Sequence, residues 1–200
     1  MVSYAITLAR AAGIVLVVLT FGLACAPIVQ EPIVHVFGGA TMGTTYTVRV
    51  VTTLTWAQDE RDRIADRIQV TLDRVESKMS HYDPSSELSA FNQTRHTEWF
   101  EVSPEMFTVV SSAQALSELT GGAFDVTVAP LVNAWGFGPI EPAQLPPDAA
   151  RLSRLQNQVG YTKLELDPET LAVRKTDPAV QCDLSAVAKG YGVDRVAAAL

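Results

Sequence analysis

Between Asp59 and Ser80 the apolar residues Ile64, Ile68, Leu72, Val75 and Met79 recur at the helical period, while Arg and Asp fill the opposite side. This predicts one amphipathic helix with its stripe in a core and its charged face in water. A second helix is expected after Ser103-Pro104-Glu105, which supplies an N-cap, a proline at the first helical position and an early acid. Met106, Val109, Val110, Ala113 and Leu116 continue its period, and Gly121-Gly122 end it. Asp148 to Gln158 reads as a further helix, and Ser185 to Leu200 as the last, with Gly190 and Gly192 inside it. Strand signals fall elsewhere. From Thr44 to Thr53, Tyr46, Val48 and Val50 alternate with polar residues. Phe124 to Val128 reads as a strand closed by Pro130, and Lys163–Leu166 with Leu171–Lys175 as a hairpin across Asp167-Pro168-Glu169. Strands and helices mix without a regular βαβ rhythm, which predicts an α+β fold with mixed sheets and packed helices.

The first 25 residues depart from this pattern. Arg10 precedes an uncharged run rich in Val, Leu and Ala, the profile of an export signal. Phe21-Gly22-Leu23-Ala24-Cys25 resembles a bacterial lipobox, with Gly22 where a branched aliphatic is usual, so lipidation of Cys25 is expected. Ordinary cleavage, or retention of Gly13 to Val29 as a spanning helix, are the alternatives. All three place residues 30–200 outside the cytoplasm, and the lipobox reading places them on the periplasmic side of the inner membrane. Residues 26–37 read as a tether and 38–200 as the functional domain. Val196 to Leu200 stop in mid helical pattern with no cap, so the domain reads as truncated at its C-terminus.

Of the 200 residues 48% are hydrophobic and 18% charged, enough apolar material for a packed core and too little charge for wholesale disorder. The net charge of −7, with no long basic run, excludes a general nucleic-acid binder. An anionic ligand must therefore be held by local groups or by a metal. Cys25 and Cys182 do not make a disulfide framework, and Cys182 reads as a buried, inert thiol. His35, His81 and His96 lack partners at metal-site spacing and read as surface or strand histidines.

Four blocks carry more Gly, polar and aromatic residues than folding requires: MGTTY from Met42, MSHYDPSSELSAFN from Met79, GGAFDVTVAPLVNAWGFGP from Gly121 and CDLSAVAKGYGVD from Cys182. Taken singly, each has a plain structural explanation: Gly43 a bulge, Tyr82 a half-buried packing residue, Gly121-Gly122 a helix cap, Asp183 a helix start. In this order they resemble the FAD:protein FMN transferase family, also called ApbE or thiamine-biosynthesis lipoproteins, from Met42 to the end of the chain.

The resemblance implies an enzyme that cleaves FAD at its pyrophosphate and attaches FMN by a phosphoester to a threonine or serine of a target protein, releasing AMP with Mg²⁺. It implies FAD contacts at Met42, Tyr82, Ala123, Phe124, Asp125, Asp183 and Lys189, and a metal ligand in the Ala186 backbone carbonyl. It also implies acceptors carrying a Ser/Asp-Gly-Ala-Thr/Ser-type sequence, such as subunits of membrane redox complexes. Ala129 and Gly192 stand where the family carries Gly and Ala. The family's later half, with an Asp and a Thr toward the metal, has no counterpart in residues 1–200.

The residue types agree with that chemistry. Met42 and Tyr82 suit the faces of a flat isoalloxazine. Asp125 can accept from a ribose or adenine group, or serve its own turn. Asp183 to Lys189 brackets a helix N-terminus, which favours phosphate, and no Walker pattern is present. Lys189 alone is a small charge against a diphosphate, so a divalent cation is expected. Trp135 either borders the adenine or packs the core, with packing favoured. Two other functions use the same site: a non-catalytic FAD-binding lipoprotein, and a pyrophosphatase that gives FMN and AMP.

Overall fold

The computed structural model describes residues 30–139 and 146–200. The export segment, the lipobox at Cys25 and the first part of the tether lie outside the described residues. Strands β1 (Ile33–Thr41) and β2 (Thr44–Thr52) form a two-stranded sheet. β1 opens at Ile33, within the stretch read as tether. Met42 and Gly43 join the strands at φ 48 and 70, both left-handed, as a type I′ hairpin turn demands. Among the described residues, 30–35 with 49–55 make a small compact unit, in which buried His35 places Nε2 3.0 Å from the Leu54 carbonyl. Residues 36–48 with 56–200 make a larger one, which holds everything discussed below.

Helix α1 (Gln58–Met79) is the amphipathic helix the sequence predicts, with Ile68, Leu72, Val75 and Met79 buried. Asp59 and Glu60 in its first turn and Lys78 in its last complement the helix dipole. α2 (Glu87–Gln93), a short helix not foreseen, starts because the Ser86 hydroxyl accepts the Ser89 N–H at 3.0 Å. After β3 (Phe100–Glu101), α3 (Pro104–Leu119) begins as expected, the Ser103 hydroxyl accepting the Met106 N–H at 3.3 Å. It ends where Gly121 and Gly122 turn left-handed and the Gly122 N–H reaches back to the Ser117 carbonyl at 2.8 Å.

Phe124 to Val128 is not a strand. The Asp125 carboxylate accepts from the Thr127 N–H at 2.8 Å and from its hydroxyl at 2.6 Å, which bends the chain, and only Val128 makes a single bridge, to Gln181. Pro130 opens helix α4 (Ala129–Ala134) rather than closing a strand. Trp135 at its end is 51% exposed, so the expectation that it packs the core fails. α5 (Ala149–Gln156) is capped by Asp148, and a 3₁₀ turn (Tyr161–Lys163) leads into β4 (Leu164–Asp167). β4 and β5 (Ala172–Lys175) pair antiparallel with Leu166 opposite Val173, and β3 adds to the far side of β5. α6 (Ser185–Ala199) completes the unit.

The core joins α1, α2, α3 and α6 to the inner face of this sheet, with Leu88, Phe91, Met106, Val173 and Leu184 almost wholly buried. Each such side chain contributes about 1.5–3 kcal/mol of transfer free energy. Lys175 is buried among them. Its ammonium donates to the Thr94 carbonyl at 3.1 Å, past the end of α2, and lies 5.0 Å from the Phe91 ring centroid. Burial pushes its pKa down from the ordinary lysine value.

Helices α1 and α6 pack closely where Gly192 sits. A Cβ added there would lie 3.3 Å from Met42 Cε and 3.4 Å from Leu72 Cδ2. Glycine inside a helix costs about 1 kcal/mol relative to alanine. The crowding atom of Met42 ends a flexible chain and can yield. Gly192→Ala is therefore expected to raise the melting midpoint by about 2–4 °C, measured by circular dichroism; a fall would mean that Met42 cannot move aside.

Candidate functional site

Three segments meet around a cleft of about 600 Å³: the Met42-Gly43 turn, the C-terminal end of α1 running into Ser80-His81-Tyr82, and the first turns of α6. The turn is held down by Glu76, whose carboxylate accepts the Met42 N–H at 3.1 Å and the Thr41 hydroxyl at 3.4 Å. A non-glycine residue in the left-handed region costs about 1–2 kcal/mol. Here that conformation aims a thioether side chain at the cleft wall, where Met42 also rests on the core. Tyr82 lines the same cleft. Its ring is 59% exposed, yet its hydroxyl donates to the Phe137 carbonyl at 2.6 Å, so a large aromatic face is presented at a fixed position.

Behind Tyr82 stands His81, which is not the surface or strand histidine that the sequence suggests. Its side chain is 7% exposed, its ring stacks on Tyr82 at 4.3 Å between centroids, and its Nδ1 lies 3.0 Å from Asp183 Oδ1. Asp183 also accepts the Ser185 N–H at 2.8 Å, an Asx turn that starts α6, and its own N–H donates to the Val126 carbonyl at 2.7 Å. Burial pushes the Asp183 carboxyl up, but the hydrogen bonds from His81 and Ser185 outweigh it and hold the pKa below the ordinary carboxylate value. On the other side of His81 and Tyr82 a second cavity of about 480 Å³ is lined by Asn92, Arg95 and Asn133 among others.

Of the positions implied by resemblance, the structure brings Met42, Tyr82 and Lys189 to one cleft, with Asp183 tied to it through His81. Ala186 is exposed in the first turn of α6, beside Ser185 in the cleft wall. Ala123, Phe124 and Asp125 do not line this cleft. Phe124 packs against the core, and both Asp125 oxygens are engaged, Oδ1 by Thr127 and Oδ2 by the Tyr161 N–H at 2.7 Å. Cys182 is buried and its thiol is pushed up to about 12 by burial, so it is inert as expected.

Sequence reasoning missed His81, Glu76 and Asn92. The Asn92 amide donates to the Cys182 carbonyl at 2.8 Å and accepts its N–H at 2.7 Å, fixing the segment before Asp183 against α2. The signal for His81 was its place beside Tyr82 inside a motif. For Glu76 it was an acid adjoining the buried stripe of α1.

Among the described residues no three His, Cys, Asp or Glu side chains gather into a metal-binding group. No helix among them is long and apolar enough to cross a membrane.

An α+β unit with an aromatic and thioether-walled cleft beside a helix N-terminus is the arrangement seen here. The model of the ApbE family matches residues 42–200, and the chain belongs to that family. It is 39% identical over 188 residues to the FAD:protein FMN transferase of Haemophilus influenzae, covering 92% of this chain and 54% of that protein. To the FAD:protein FMN transferase of Vibrio cholerae it is 42% identical, covering 80% of this chain and 46% of that protein. The solved flavin transferase ApbE from Vibrio cholerae superposes with a TM-score of 0.78 at 38% identity, over 84% of this chain and 53% of that one. The apo flavinyl transferase ApbE of Pseudomonas stutzeri gives 0.74 at 30% identity, over 84% of this chain and 55% of that one. The chain thus spans about half the length of the curated relatives it matches.

A lowered folded-state pKa means that Asp183 contributes stability above the ordinary carboxylate value and loses it as pH falls through the folded value. Asp183→Asn is expected to cost about 2 kcal/mol at neutral pH, with the gap to wild type closing in acid as pH falls through the lowered folded-state value. Paired thermal melts check this; an equal gap at both pH values would show that the carboxylate charge is not what holds the site.

Proposed function

We propose that this chain is the FAD-binding portion of an FAD:protein FMN transferase, acting with Mg²⁺. The observation that carries the reading is the convergence of Met42, Tyr82 and Lys189 on one cleft at the start of α6. An isoalloxazine is flat and apolar with polar edges, so a thioether and a pinned aromatic lining one cleft suit its faces. The positive end of the α6 dipole, with the Lys189 ammonium, suits the diphosphate. Ala123 and Phe124 enter the proposal through the backbone of their loop. Asp125 enters as the side chain that shapes it, since its oxygens are already taken.

Electrostatics supports the metal. The formally charged side chains lining the cleft are Glu76 and Lys189, which together present no net positive charge to a diphosphate. A divalent cation bound partly by phosphate oxygens and water would supply it, with the Ala186 carbonyl as a protein ligand. Bound magnesium would neutralise charge that develops on the phosphates. The chain's own residues orient the dinucleotide so that an acceptor hydroxyl meets the FMN phosphorus in line with the bridging oxygen. The new P–O bond forms, the acceptor O–H bond and the bridging P–O bond break, the proton passes to solvent, and AMP leaves.

The acceptor in this reading is a protein presenting a Ser/Asp-Gly-Ala-Thr/Ser-type sequence, such as a subunit of a membrane redox complex. The export signal and lipobox support a lipid anchor at Cys25 on the periplasmic face of the inner membrane, which metabolic labelling with a fatty acid would test against Cys25→Ser.

For the reaction, the full-length protein that contains this chain is incubated with FAD, Mg²⁺ and an acceptor. AMP and covalent flavin on the acceptor are expected in equal amounts. Tyr82→Ala and Lys189→Ala should each lower the rate at least about tenfold, the scale of one lost stacking or charged contact. Wild-type protein that forms neither product would overturn the reading.

A further inference from the structure

His81 has no task in the function proposed above, yet three observations converge on it. It is buried at the junction of the two cavities and lines both. Its Nδ1 faces the Asp183 carboxylate at 3.0 Å, so Nδ1 carries a proton toward that oxygen. Its Nε2 is buried without a hydrogen-bond partner. A buried polar atom left unpaired disfavours folding, so the Nδ1 contact to Asp183 does not by itself explain why a whole imidazole stands there.

What the ring does touch is Tyr82. The two planes lie 27° apart with centroids 4.3 Å apart, a stacked pair. Tyr82 is thus gripped twice, on its face by an imidazole that Asp183 orients and at its hydroxyl by the Phe137 carbonyl. An exposed aromatic without such a grip samples several rotamers and must give up that freedom when a ligand stacks on it.

We propose that His81 is a positioning residue that, held by Asp183, fixes the plane of Tyr82 and so preorganises the face on which the flavin dinucleotide stacks. The inference rests on the FAD-binding reading and goes beyond it by assigning the residue that sets the geometry of the stacking face. His81 acts through Tyr82 rather than on the ligand.

The test is a double-mutant cycle in the full-length protein, with FAD titrated by calorimetry in metal-free buffer so that no turnover intrudes. His81→Ala is expected to weaken FAD binding about tenfold, within the range of coupling between residues in contact. In a Tyr82→Ala background the same change should cost nothing more. His81→Asn, which keeps a donor for Asp183 but lacks the ring, should bind FAD as weakly as His81→Ala while its ligand-free melting midpoint stays within about 3 °C of wild type. Additive losses in the cycle, wild-type affinity in His81→Ala, or a midpoint in His81→Asn that falls together with affinity would each overturn the assignment. Those outcomes require a wild type that binds FAD. Wild-type protein that binds none would overturn the functional reading, and this proposal with it.

Discussion

The Asp183 carboxylate is the constraint on which the cleft depends. One side chain starts α6 through its Asx turn and pairs with His81, while its own backbone N–H ties this segment to Val126. Move that carboxylate and three things move together: the register of the α6 N-terminus, the imidazole, and the tyrosine stacked on it. The group sits in a partly buried place where burial alone would favour protonation, and its contacts with His81 and Ser185 keep the charged form preferred. A network of this kind is costly when partly satisfied and rigid when complete. His81 Nε2 is its open end.

How far the fold could be read from sequence follows the range of the forces involved. The stripe Ile68, Leu72, Val75, Met79 and the Ser103-Pro104 cap are local patterns, and both elements stand where the pattern puts them. The hairpin of β4 and β5 is equally local, closed by a turn in which the Asp167 carboxylate accepts the Glu169 N–H at 2.9 Å. Phe124 to Val128 has strand composition, but an Asp two residues before a Thr offers the backbone a competing set of hydrogen bonds, and the turn wins. Neither Asn92 nor Glu76 announces its partner, because those partners are backbone groups far along the chain, at Cys182 and at Met42. The candidate site was legible where the motif residue faces the cleft, as with Met42, Tyr82 and Lys189. It was not legible for His81, whose importance comes from a neighbour brought up by tertiary structure.

Stability and site geometry pull against each other in this unit. Met42 adopts a backbone conformation that favours glycine, and its strain is held by Glu76. Gly192 gives up helix propensity and leaves room for the Met42 methyl group. The core behind the cleft makes up the deficit, and even its buried lysine is satisfied by carbonyls and an aromatic face. Met42 thus brings a strained backbone and His81 an unpaired buried nitrogen to the cleft, while the buried Lys175 has its partners.

That distribution bears on why the cleft needs so few charged groups of its own. The protein is acidic overall, and a field of that sign repels a diphosphate at long range, although salt screens it beyond about 8–10 Å. Under the proposed function, selectivity at close range would then come from shape, from the α6 dipole and from the cation that accompanies the phosphates. A flat aromatic face clamped by His81 and Phe137 contributes shape without adding charge, so a ligand that lacks a planar ring gains little from the cleft however many phosphates it carries. In the function proposed above, rigidity at Tyr82 would do the discriminating, and the electrostatic work would fall to the cation.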